Sequence, residues 1–509
     1  MAGIGFELKK LFSKRGVFES VKAYGYATVV CAGPMLLGVL LLLGLMFLCS
    51  LAGIDQHTRE VLICMITYTL LASLTATSFF SMVITRYTAD MLYEDKKLAV
   101  LPSFWGSTVV MLAVGCILYA LFLLFSGATL LQQLFCYTFF GELIITWNAT
   151  SYLTAIKDYK GIFLSFFAAI VSALIIGGLL VLLKAPVIEA LLFAVTVGYG
   201  IMSVWHIILL HRYFPKSDLG AFNFLKWIDK FWSLALSGLF TNIGMFAHIV
   251  IMWGSRIGVN VLGLFYGAPF YDVPALLSFL TILITTVNFV VSVEVNFYPK
   301  YRTYYSLYND KGAVNDILQA EEEMITTLKT EIFYTALKQL LFSAVCIAVS
   351  GFILDVLPLG FNELMRGYFR TLCVGYGMYA IGNMLMLILL YFADYTGALY
   401  ATGAFAGASI VFTFISTFLP NAYFGFGFLL ASFIFTVVAV IRLDYFTKRL
   451  PYYILAVQPL VEEDKSGFFE RMGAYIEEQI ERVGKNEVEW IKNRRGFTFI
   501  NAILNKLRK

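Results

Sequence analysis

Charged residues are scarce in this chain. Asp, Glu, Lys and Arg make up 14% of its 509 residues, whereas 60% are hydrophobic and the mean hydropathy is +0.80. Soluble domains average about 25% charged and about 45–50% apolar residues, so this composition excludes that class and indicates a membrane protein. The net charge of +4 is small and dispersed, which argues against a nucleic-acid-binding protein.

Motifs that carry enzymatic chemistry are also lacking. The seven cysteines lie within apolar runs and none forms a CxxC pair, which argues against a disulfide framework or a zinc site. The chain has neither a GxxxxGK[ST] phosphate-binding loop nor a DxD pair for a nucleotide-sugar metal. Its longest polar segments are too short for a nucleotide-binding catalytic domain. We therefore predict that the protein is not an enzyme and needs no cofactor.

Long apolar runs are abundant. A helix needs about 20 mostly apolar residues to cross the hydrocarbon core of a bilayer. Twelve runs meet this requirement, so the sequence predicts an all-α polytopic membrane protein with twelve transmembrane helices in two six-helix lobes. The predicted spans are residues 24–50, 61–85, 102–126, 130–156, 161–183, 186–210, 231–254, 272–298, 332–355, 368–392, 398–419 and 423–442.

The distribution of basic residues predicts the orientation. The segment before the first span, the even-numbered connections and the stretch 442–449 at the end of the last span contain 21 Lys and Arg residues. The odd-numbered connections contain only Arg59, Lys184, Arg256, Arg366 and Arg370. Because Lys and Arg accumulate in cytoplasmic loops, we predict that both termini are cytoplasmic.

A polar connection at 211–230 divides the spans into two sets of six. The predicted segments are an interfacial amphipathic N-terminal helix (1–23), an N-lobe (24–210), this inter-lobe loop (211–230), a C-lobe (231–445) and a cytoplasmic helical tail (446–509). A six-plus-six arrangement is typical of transporter lobes around a central path.

Helix-weakening residues interrupt the first span of each lobe. Gly33 and Pro34 lie in the first span, and Gly238 and Gly244 lie in the seventh. Corresponding breaks in two halves point to a moving or substrate-facing element, so these four residues are predicted hinges. Glycine also permits close helix packing, which is the alternative interpretation.

Three amphipathic segments are predicted outside the spans. The opening stretch "MAGIGFELKKLFSKRG" has an apolar helical face opposite lysines, which is typical of a helix in the membrane interface; a topology signal is the alternative. A second helix is predicted over 311–331. The tail stretch "GFFERMGAYIEEQIERVG" favours a protein-docking helix, with packing against the chain's own loops as the alternative. The predicted partner-docking residues are Phe6, Leu8, Phe12, Phe468, Phe469, Met472 and Ile476.

Polar side chains at membrane depth are the candidate functional residues, because such groups usually face a cavity or a partner. Asp272, which begins the eighth span, has the alternative role of capping that helix beside Pro274. A lone histidine such as His248 is more often a satisfied interior group. Aromatic rings beside polar groups can present flat faces to sugars. The predicted substrate-path residues are Glu142, Trp147, Asn148, Asn242, His248, Tyr271, Asp272 and Glu294.

Several stretches resemble one known family. They are "MAGIGFELKKL" at the start, "AYGYA" (23–27), "ITRYTADMLY" (84–93), "YDVP" (271–274), "VEVNFYPKY" (293–301) and "NAYFGFGF" (421–428). Together they make the chain similar to the PelG family, the membrane transporters of Pel exopolysaccharide systems. That family lies within the multidrug/oligosaccharidyl-lipid/polysaccharide flippase superfamily. The resemblance covers about residues 1–445.

The resemblance implies a two-lobed export path in the bacterial cytoplasmic membrane. It also implies a cytosolic glycosyltransferase partner that polymerises N-acetylhexosamine from a UDP-sugar, and further membrane partners that include a cyclic-di-GMP receptor. The alternatives are a lipid-linked oligosaccharide flippase, an ion-coupled antiporter of the same superfamily, and a non-transporting scaffold for the glycosyltransferase.

Overall fold

The computed structural model describes residues 17–156, 158–309, 312–356, 360–455 and 466–494 and is predominantly helical. Ten helical segments of this described part are long and apolar enough to cross a membrane. The chain is therefore a multi-pass membrane protein. The two other predicted spans coincide with a helix at Val17–Leu51 and a helix at Leu130–Ile156, so the count of twelve crossings stays a prediction.

The N-terminal half contains six long helices and one short helix. They are α1 (Val17–Leu51), α2 (Gln56–Tyr93), α3 (Val100–Leu124), α4 (Leu130–Ile156), α5 (Tyr159–Leu182), α6 (Val187–Tyr213) and the short α7 (Leu225–Lys230).

The C-terminal half begins with α8 (Trp232–Trp253), which is followed by a hairpin. Strands β1 (Val259–Leu262) and β2 (Phe265–Gly267) pair antiparallel, and Val259 lies opposite Gly267. The remaining helices are α9 (Pro269–Phe279), α10 (Leu283–Val291), α11 (Tyr298–Asn309), α12 (Val314–Ala348), α13 (Ser350–Val356), α14 (Glu363–Tyr391), α15 (Tyr395–Ser416), α16 (Phe426–Thr447), α17 (Leu450–Leu455) and α18 (Phe468–Arg494).

Aspartate side chains cap three of the long helices. Asp55 accepts a hydrogen bond from the backbone N–H of Thr58 (3.2 Å) at the start of α2. Asp158 and Asp394 accept from the N–H three residues on, each at 3.0 Å, at the starts of α5 and α15. Each carboxylate satisfies an N–H that the helix itself leaves unpaired, so short polar residues set where these helices begin.

The two halves repeat the same order of helix packing. In the N-terminal half α1 packs on α5, α5 on α6, α6 on α4, and α4 on both α2 and α3. In the C-terminal half α8 packs on α15, α15 on α16, α16 on α14, and α14 on both α9 and α12. Position by position these are the same contacts, so each half is a lobe with its own apolar core.

Short sequence repeats accompany the repeated packing order of the two lobes. The capping motif "DYKG" (158–161) before α5 recurs as "DYTG" (394–397) before α15. The stretch "LYEDK" (92–96) after α2 recurs as "LYNDK" (307–311). The equivalent helices of the two lobes therefore carry equivalent end signals.

The predicted hinges lie within continuous helices. Helix α1 runs through Gly33 and Pro34, and α8 runs through Gly238 and Gly244. A Cβ added at Gly33 would lie 2.5 Å from the Phe163 ring, so this glycine permits α1 to pack closely on α5. Gly33, Gly238 and Gly244 are closely packed, as the alternative interpretation requires, and a hinge at these positions stays a prediction.

The first and seventh predicted spans are regular helices, whereas the eighth predicted span is irregular. Over 269–309 the chain forms α9, a 3₁₀ turn (Leu280–Ile282), α10, a π-helical turn (Ser292–Phe297) and α11. Single π-helical turns are rare and occur frequently at functional sites. Glu294, a predicted path residue, lies within this turn.

Candidate functional site at the seam between the lobes

The two lobes meet along two helix pairs that occupy equivalent places in the repeated packing order. We call the boundary that these pairs form the seam. Helix α2 packs on α8, and α1 packs on α10. These pairs join the second span to the seventh and the first span to the eighth. A substrate path between the lobes would be bounded by these four helices.

The α2/α8 seam is close-packed and polar in its middle. A Cβ added at Gly238 would lie 2.5 Å from the carbonyl oxygen of Ser78, so only glycine permits this approach of the lobes. One turn further along α8, Asn242 accepts a hydrogen bond from the Thr75 hydroxyl at 3.1 Å. Asn242 therefore lies between the lobes, and its role in a substrate path stays a prediction.

Trp147 of α4 contacts α2 from within the N-lobe. Its indole N–H donates to the hydroxyl of Ser73, which is fully buried, at 3.1 Å. The ring is only partly buried, and Phe166 of α5 packs beside it with 6.1 Å between ring centroids.

At one end of the molecule the hairpin closes the seam. The Tyr68 hydroxyl of α2 accepts from the backbone N–H of Tyr266 (3.1 Å) and donates to its carbonyl (3.0 Å). The Tyr68 ring also stacks on Trp253 at the end of α8, with centroids 4.5 Å apart and planes 12° apart. We call Tyr68, Trp253 and the hairpin 259–267 the latch.

Asp272 holds the latch from the side of the C-lobe. Its carboxylate accepts from the Trp253 indole N–H at 3.0 Å and from the backbone N–H of Ala268 at 2.9 Å. The helix begins at Pro269, three residues before the start that the sequence alternative gave it, so Asp272 lies in its first turn and the second bond ties it back to the N-cap residue Ala268. The first bond orients the ring that Tyr68 stacks on. The carboxylate thus joins helix capping to the contact between the lobes.

The tip of the hairpin reaches the N-lobe as well. The N–H of Leu264 donates to the Ser126 carbonyl at 3.2 Å. Gly263 has a positive φ of 53°, and a Cβ there would lie 2.1 Å from the same carbonyl oxygen, so this approach requires glycine. Val261 and Phe265 are buried in the N-lobe core although they follow α8 in the chain.

Two predicted path residues lie instead inside the C-lobe. His248 and Tyr271 are both 0% exposed. The His248 ring nitrogens pair with the hydroxyls of Tyr271 (2.8 Å) and Tyr376 (3.3 Å), and Phe428 covers the imidazole at 4.1 Å. This is the satisfied interior histidine that the sequence offered as the alternative.

Asn148 lies in the interior of the N-lobe. Its amide donates to the hydroxyls of Ser107 (2.9 Å) and Thr108 (2.8 Å), so it joins α4 to α3. These bonds stabilise the packing of two helices within one lobe, whereas the Asn148 Oδ1 atom is buried without a hydrogen-bond partner.

Glu142 lies between α4 and α6, near the outer surface of the N-lobe. A Cβ added at Gly200 of α6 would lie 3.0 Å from the Glu142 Oε1 atom, and Gly200 lines a groove with Ile201, Val204 and Trp205 that opens outward. The Glu142 Oε2 atom is buried without a hydrogen-bond partner. The structure thus brings Asn242 to the seam and Asp272 to its latch, and it places Trp147 and Glu142 within the N-lobe.

The tail helix α18 packs against the chain's own inter-lobe loop. Asp229 of α7 accepts from the N–H groups of Phe469 (3.2 Å) and Glu470 (2.8 Å), so it caps α18 although it lies 240 residues earlier. Phe469, Met472 and Ile476 pack against the N-lobe core, whereas Phe468 is 65% exposed. Phe6, Leu8 and Phe12 lie outside the described residues.

Sequence reasoning missed Tyr68 and the hairpin. Tyr68 lies inside an apolar run, where nothing in the sequence distinguishes it from the many other aromatic residues. The hairpin carries a usable signal, the alternating stretch "VNVLGLFYG" (259–267) with a glycine near its middle, which favours two strands joined by a tight turn. Across the described ranges no group of three or more His, Cys, Asp or Glu side chains is arranged to hold a metal ion.

Solved structures share this two-lobed architecture. A Vibrio cholerae MATE transporter, a mutant of VcmN, is 11% identical, covers 89% of this chain and 99% of its own, and superposes with a TM-score of 0.58. An outward-facing multidrug resistance MATE family transporter of the MOP superfamily is 14% identical, with coverages of 88% and 100% and a TM-score of 0.56. A MOP superfamily transporter from Pyrococcus furiosus Vc1 is 14% identical, with coverages of 89% and 99% and a TM-score of 0.55.

Identities this low show the fold alone, and that fold is the one of membrane transporters of the MATE type. A comparison with curated proteins finds no match. The chain belongs to the PelG family, described as "Putative exopolysaccharide Exporter (EPS-E)", whose sequence model matches residues 1–455. The resemblance noted in the sequence is thereby confirmed.

Proposed function

We propose that this protein exports a nascent, N-acetylhexosamine-rich exopolysaccharide across the bacterial cytoplasmic membrane, through a path between its two lobes. Membership of an exopolysaccharide exporter family supports the substrate class. The observation that carries the proposal is the polar seam: Asn242 of the C-lobe accepts a hydrogen bond from Thr75 of the N-lobe, between two lobes that each have an apolar core.

The chemistry of the seam suits a neutral sugar polymer. Transit requires release as well as binding, so many weak hydrogen bonds serve better than one deep charged site. The Thr75 hydroxyl and the Asn242 amide provide such bonds at the seam. The Asp272 carboxylate is occupied by Trp253 and by the backbone, so it presents no free charge trap to the polymer.

The membrane orientation follows from the distribution of basic residues. With both termini in the cytoplasm and twelve crossings, the latch lies at the outer face and the connection 211–230 lies at the cytoplasmic face. The latch then seals the outer end of the path when no polymer is passing. The tail helix, seated on that cytoplasmic connection, lies on the side from which the polymer arrives.

The polymer is synthesised in the cytosol, so a glycosyltransferase partner must deliver it. The exposed Phe468 and the N-terminal Phe6, Leu8 and Phe12 are the proposed docking residues for that enzyme. Further membrane partners, including a cyclic-di-GMP receptor, would assemble around the same face.

The polymer is expected to cross in its neutral, acetylated form. An inside-negative potential opposes outward movement of a positive charge by about 2.3 kcal/mol per 100 mV. Inverted vesicles that hold an opposing potential should therefore accumulate an acetylated chain faster than a deacetylated chain of equal length. Faster accumulation of the deacetylated chain would contradict this proposal about charge.

The decisive experiment is reconstitution with the glycosyltransferase. Vesicles that contain both proteins and are supplied with a labelled UDP-N-acetylhexosamine should accumulate labelled polymer in the lumen, protected from added glycosidase. Vesicles with the enzyme alone should leave all polymer outside. If both preparations leave the polymer unprotected while the enzyme still binds the membrane, the protein is a scaffold and the export proposal fails.

A further inference from the structure

A cluster of tyrosines lies at the end of the molecule opposite the latch. Helix α11 carries Tyr298, Tyr301 and Tyr305 on one helical face. The Tyr301 ring packs on Tyr305 with centroids 4.3 Å apart and meets the edge of Tyr391, at the end of α14, at 5.1 Å. Tyr298 also meets Tyr391, at 6.5 Å.

The cluster extends to the boundary between the lobes. Tyr395, which begins α15, packs on Phe231 at 5.3 Å, and Phe231 begins α8. The Arg86 guanidinium of α2 lies over the same Phe231 ring at 5.4 Å. Arg86 belongs to the N-lobe and the tyrosines belong to the C-lobe, so the rings surround the end of the α2/α8 seam. We call Tyr298, Tyr301, Tyr305, Tyr391 and Tyr395 the tyrosine cluster.

The packing distinguishes this cluster from an ordinary interfacial belt. Belt tyrosines anchor a helix by placing single rings among lipid headgroups. Tyr93, at the same end of the molecule, is 93% exposed and fits that description. The five clustered rings are each only partly exposed. Tyr298, Tyr301, Tyr305 and Tyr391 pack on one another, and Tyr395 packs on Phe231 at the end of the seam.

We infer that the tyrosine cluster is a carbohydrate-binding platform that receives N-acetylhexosamine units at the entrance of the path. A hexosamine ring has an apolar face of C–H groups and an edge of hydroxyl and amide groups. A tyrosine matches both, because its ring face is apolar and its hydroxyl is polar. Several such rings in a row hold a chain at many weak contacts, which permits it to slide. This inference rests on the proposed export function and names the site at which the polymer first binds.

The position of Arg86 supports a neutral ligand. Its guanidinium is paired with Asp90 at 3.0 Å and lies over Phe231, so its charge is already compensated. The platform therefore offers aromatic faces and hydroxyls with no free anion to bind a polycation. An uncharged acetylated sugar fits this environment better than a deacetylated one.

The first test needs no variant. The purified full chain in lipid nanodiscs is oxidised by hydroxyl radicals with and without a soluble N-acetylhexosamine tetramer, and a polyethylene glycol of equal length serves as the control ligand. Oxidation of Tyr301 and Tyr305 should fall by about twofold at half-saturation, whereas Tyr93 and Tyr452 should not change. Equal protection of all four tyrosines, or protection by the glycol as well, would overturn the inference.

The second test uses matched variants. Tyr301→Leu removes the flat face and should weaken tetramer binding by between about twofold and about tenfold. Tyr301→Phe retains the face and should weaken binding less, and Tyr93→Leu should leave it unchanged. If Tyr301→Leu binds the tetramer as well as the wild type, the platform does not exist.

The two proposals fail in different ways. Wild-type vesicles that accumulate polymer without any footprint on Tyr301 and Tyr305 would disprove the platform and leave export standing. A clear footprint together with vesicles that never accumulate polymer would disprove export, and with it the role of the platform as a path entrance.

Discussion

A largely buried ion pair joins the start of α15 to α16. Asp394 is 4% exposed and accepts two hydrogen bonds from Arg442, at 2.6 and 2.8 Å. The same carboxylate caps α15. At the mirrored position in the N-lobe, Asp158 caps α5 and accepts from the Tyr213 hydroxyl at 3.1 Å. The two equivalent capping aspartates thus differ in their partners. Asp394 of the C-lobe pairs with the charged Arg442, and Asp158 of the N-lobe pairs with the neutral Tyr213 hydroxyl.

Replacing each capping aspartate by asparagine should therefore destabilise the C-lobe more than the N-lobe. Asp394→Asn retains the cap but leaves Arg442 without its carboxylate, and removing one partner of a buried pair costs about 3 kcal/mol or more. Asp158→Asn retains the cap and alters a neutral hydrogen bond, which is worth about 1 kcal/mol. Unfolding by denaturant in detergent micelles measures both changes, and equal losses would contradict this account.

The seam residue Asn242 allows a functional test. Asn242→Ala removes the hydrogen bond to Thr75 and one polar contact along the proposed path, so polymer uptake should fall at an unchanged amount of protein. Asn421→Ala makes the same chemical change in a connection outside the seam and should leave uptake unchanged. Equal uptake by both variants would remove Asn242 from the path.

At the scale of elements, α18 depends on a cap from another part of the chain. Asp229 satisfies two N–H groups at the start of α18, Lys226 pairs with Glu470 at 3.3 Å, and Glu477 accepts from the backbone N–H of Phe222 at 2.9 Å. These contacts tie the tail helix to the loop between the lobes. The loop and the tail should therefore move as one unit.

Loss of this cap should loosen the tail. Asp229→Ala is expected to cost about 1 kcal/mol, so the amides of Phe469 and Glu470 should exchange with deuterium about fivefold faster. Asp218→Ala, in an exposed part of the same loop, serves as the control and should not change that exchange. Unchanged exchange in Asp229→Ala would show that apolar packing alone seats α18.

At the scale of the whole molecule, the latch decides whether the lobes can separate at one end. A Cβ added at Gly267 of the hairpin would lie 3.0 Å from the Cys64 sulfur of α2. A Cβ and the opposite sulfur are about 3 Å apart across a disulfide, so a cysteine at this position should bond to Cys64 without backbone movement.

Gly267→Cys should thus lock the lobes under oxidation. Vesicles with this variant should lose polymer uptake after treatment with an oxidant and regain it after reduction, if the path opens by separation of the latch. Gly267→Ser, which has nearly the same size and cannot form the bond, should respond to neither treatment. Full uptake by the oxidised, cross-linked variant would show that polymer passes without opening the latch.

The sequence by itself determined the membrane character, the position of most spans and the family. Runs of apolar residues long enough to cross a bilayer are a one-dimensional property, and so are motifs such as "ITRYTADMLY". The capping motifs "DYKG" and "DYTG" also mark the two mirrored lobes within the sequence, although only the mirrored packing makes their relationship evident.

Only the tertiary structure decided which polar residues share a surface. A helix that is apolar on all sides has no polar stripe from which its buried face can be read, so Glu142, Trp147 and Asn148 look alike in sequence. In the structure Glu142 faces α6, Trp147 faces α2 and Asn148 faces α3. Likewise Tyr68 and Tyr266 are 198 residues apart and meet only because the hairpin folds back on the N-lobe. The site depends on such long-range contacts, which depend on packing and not on local sequence.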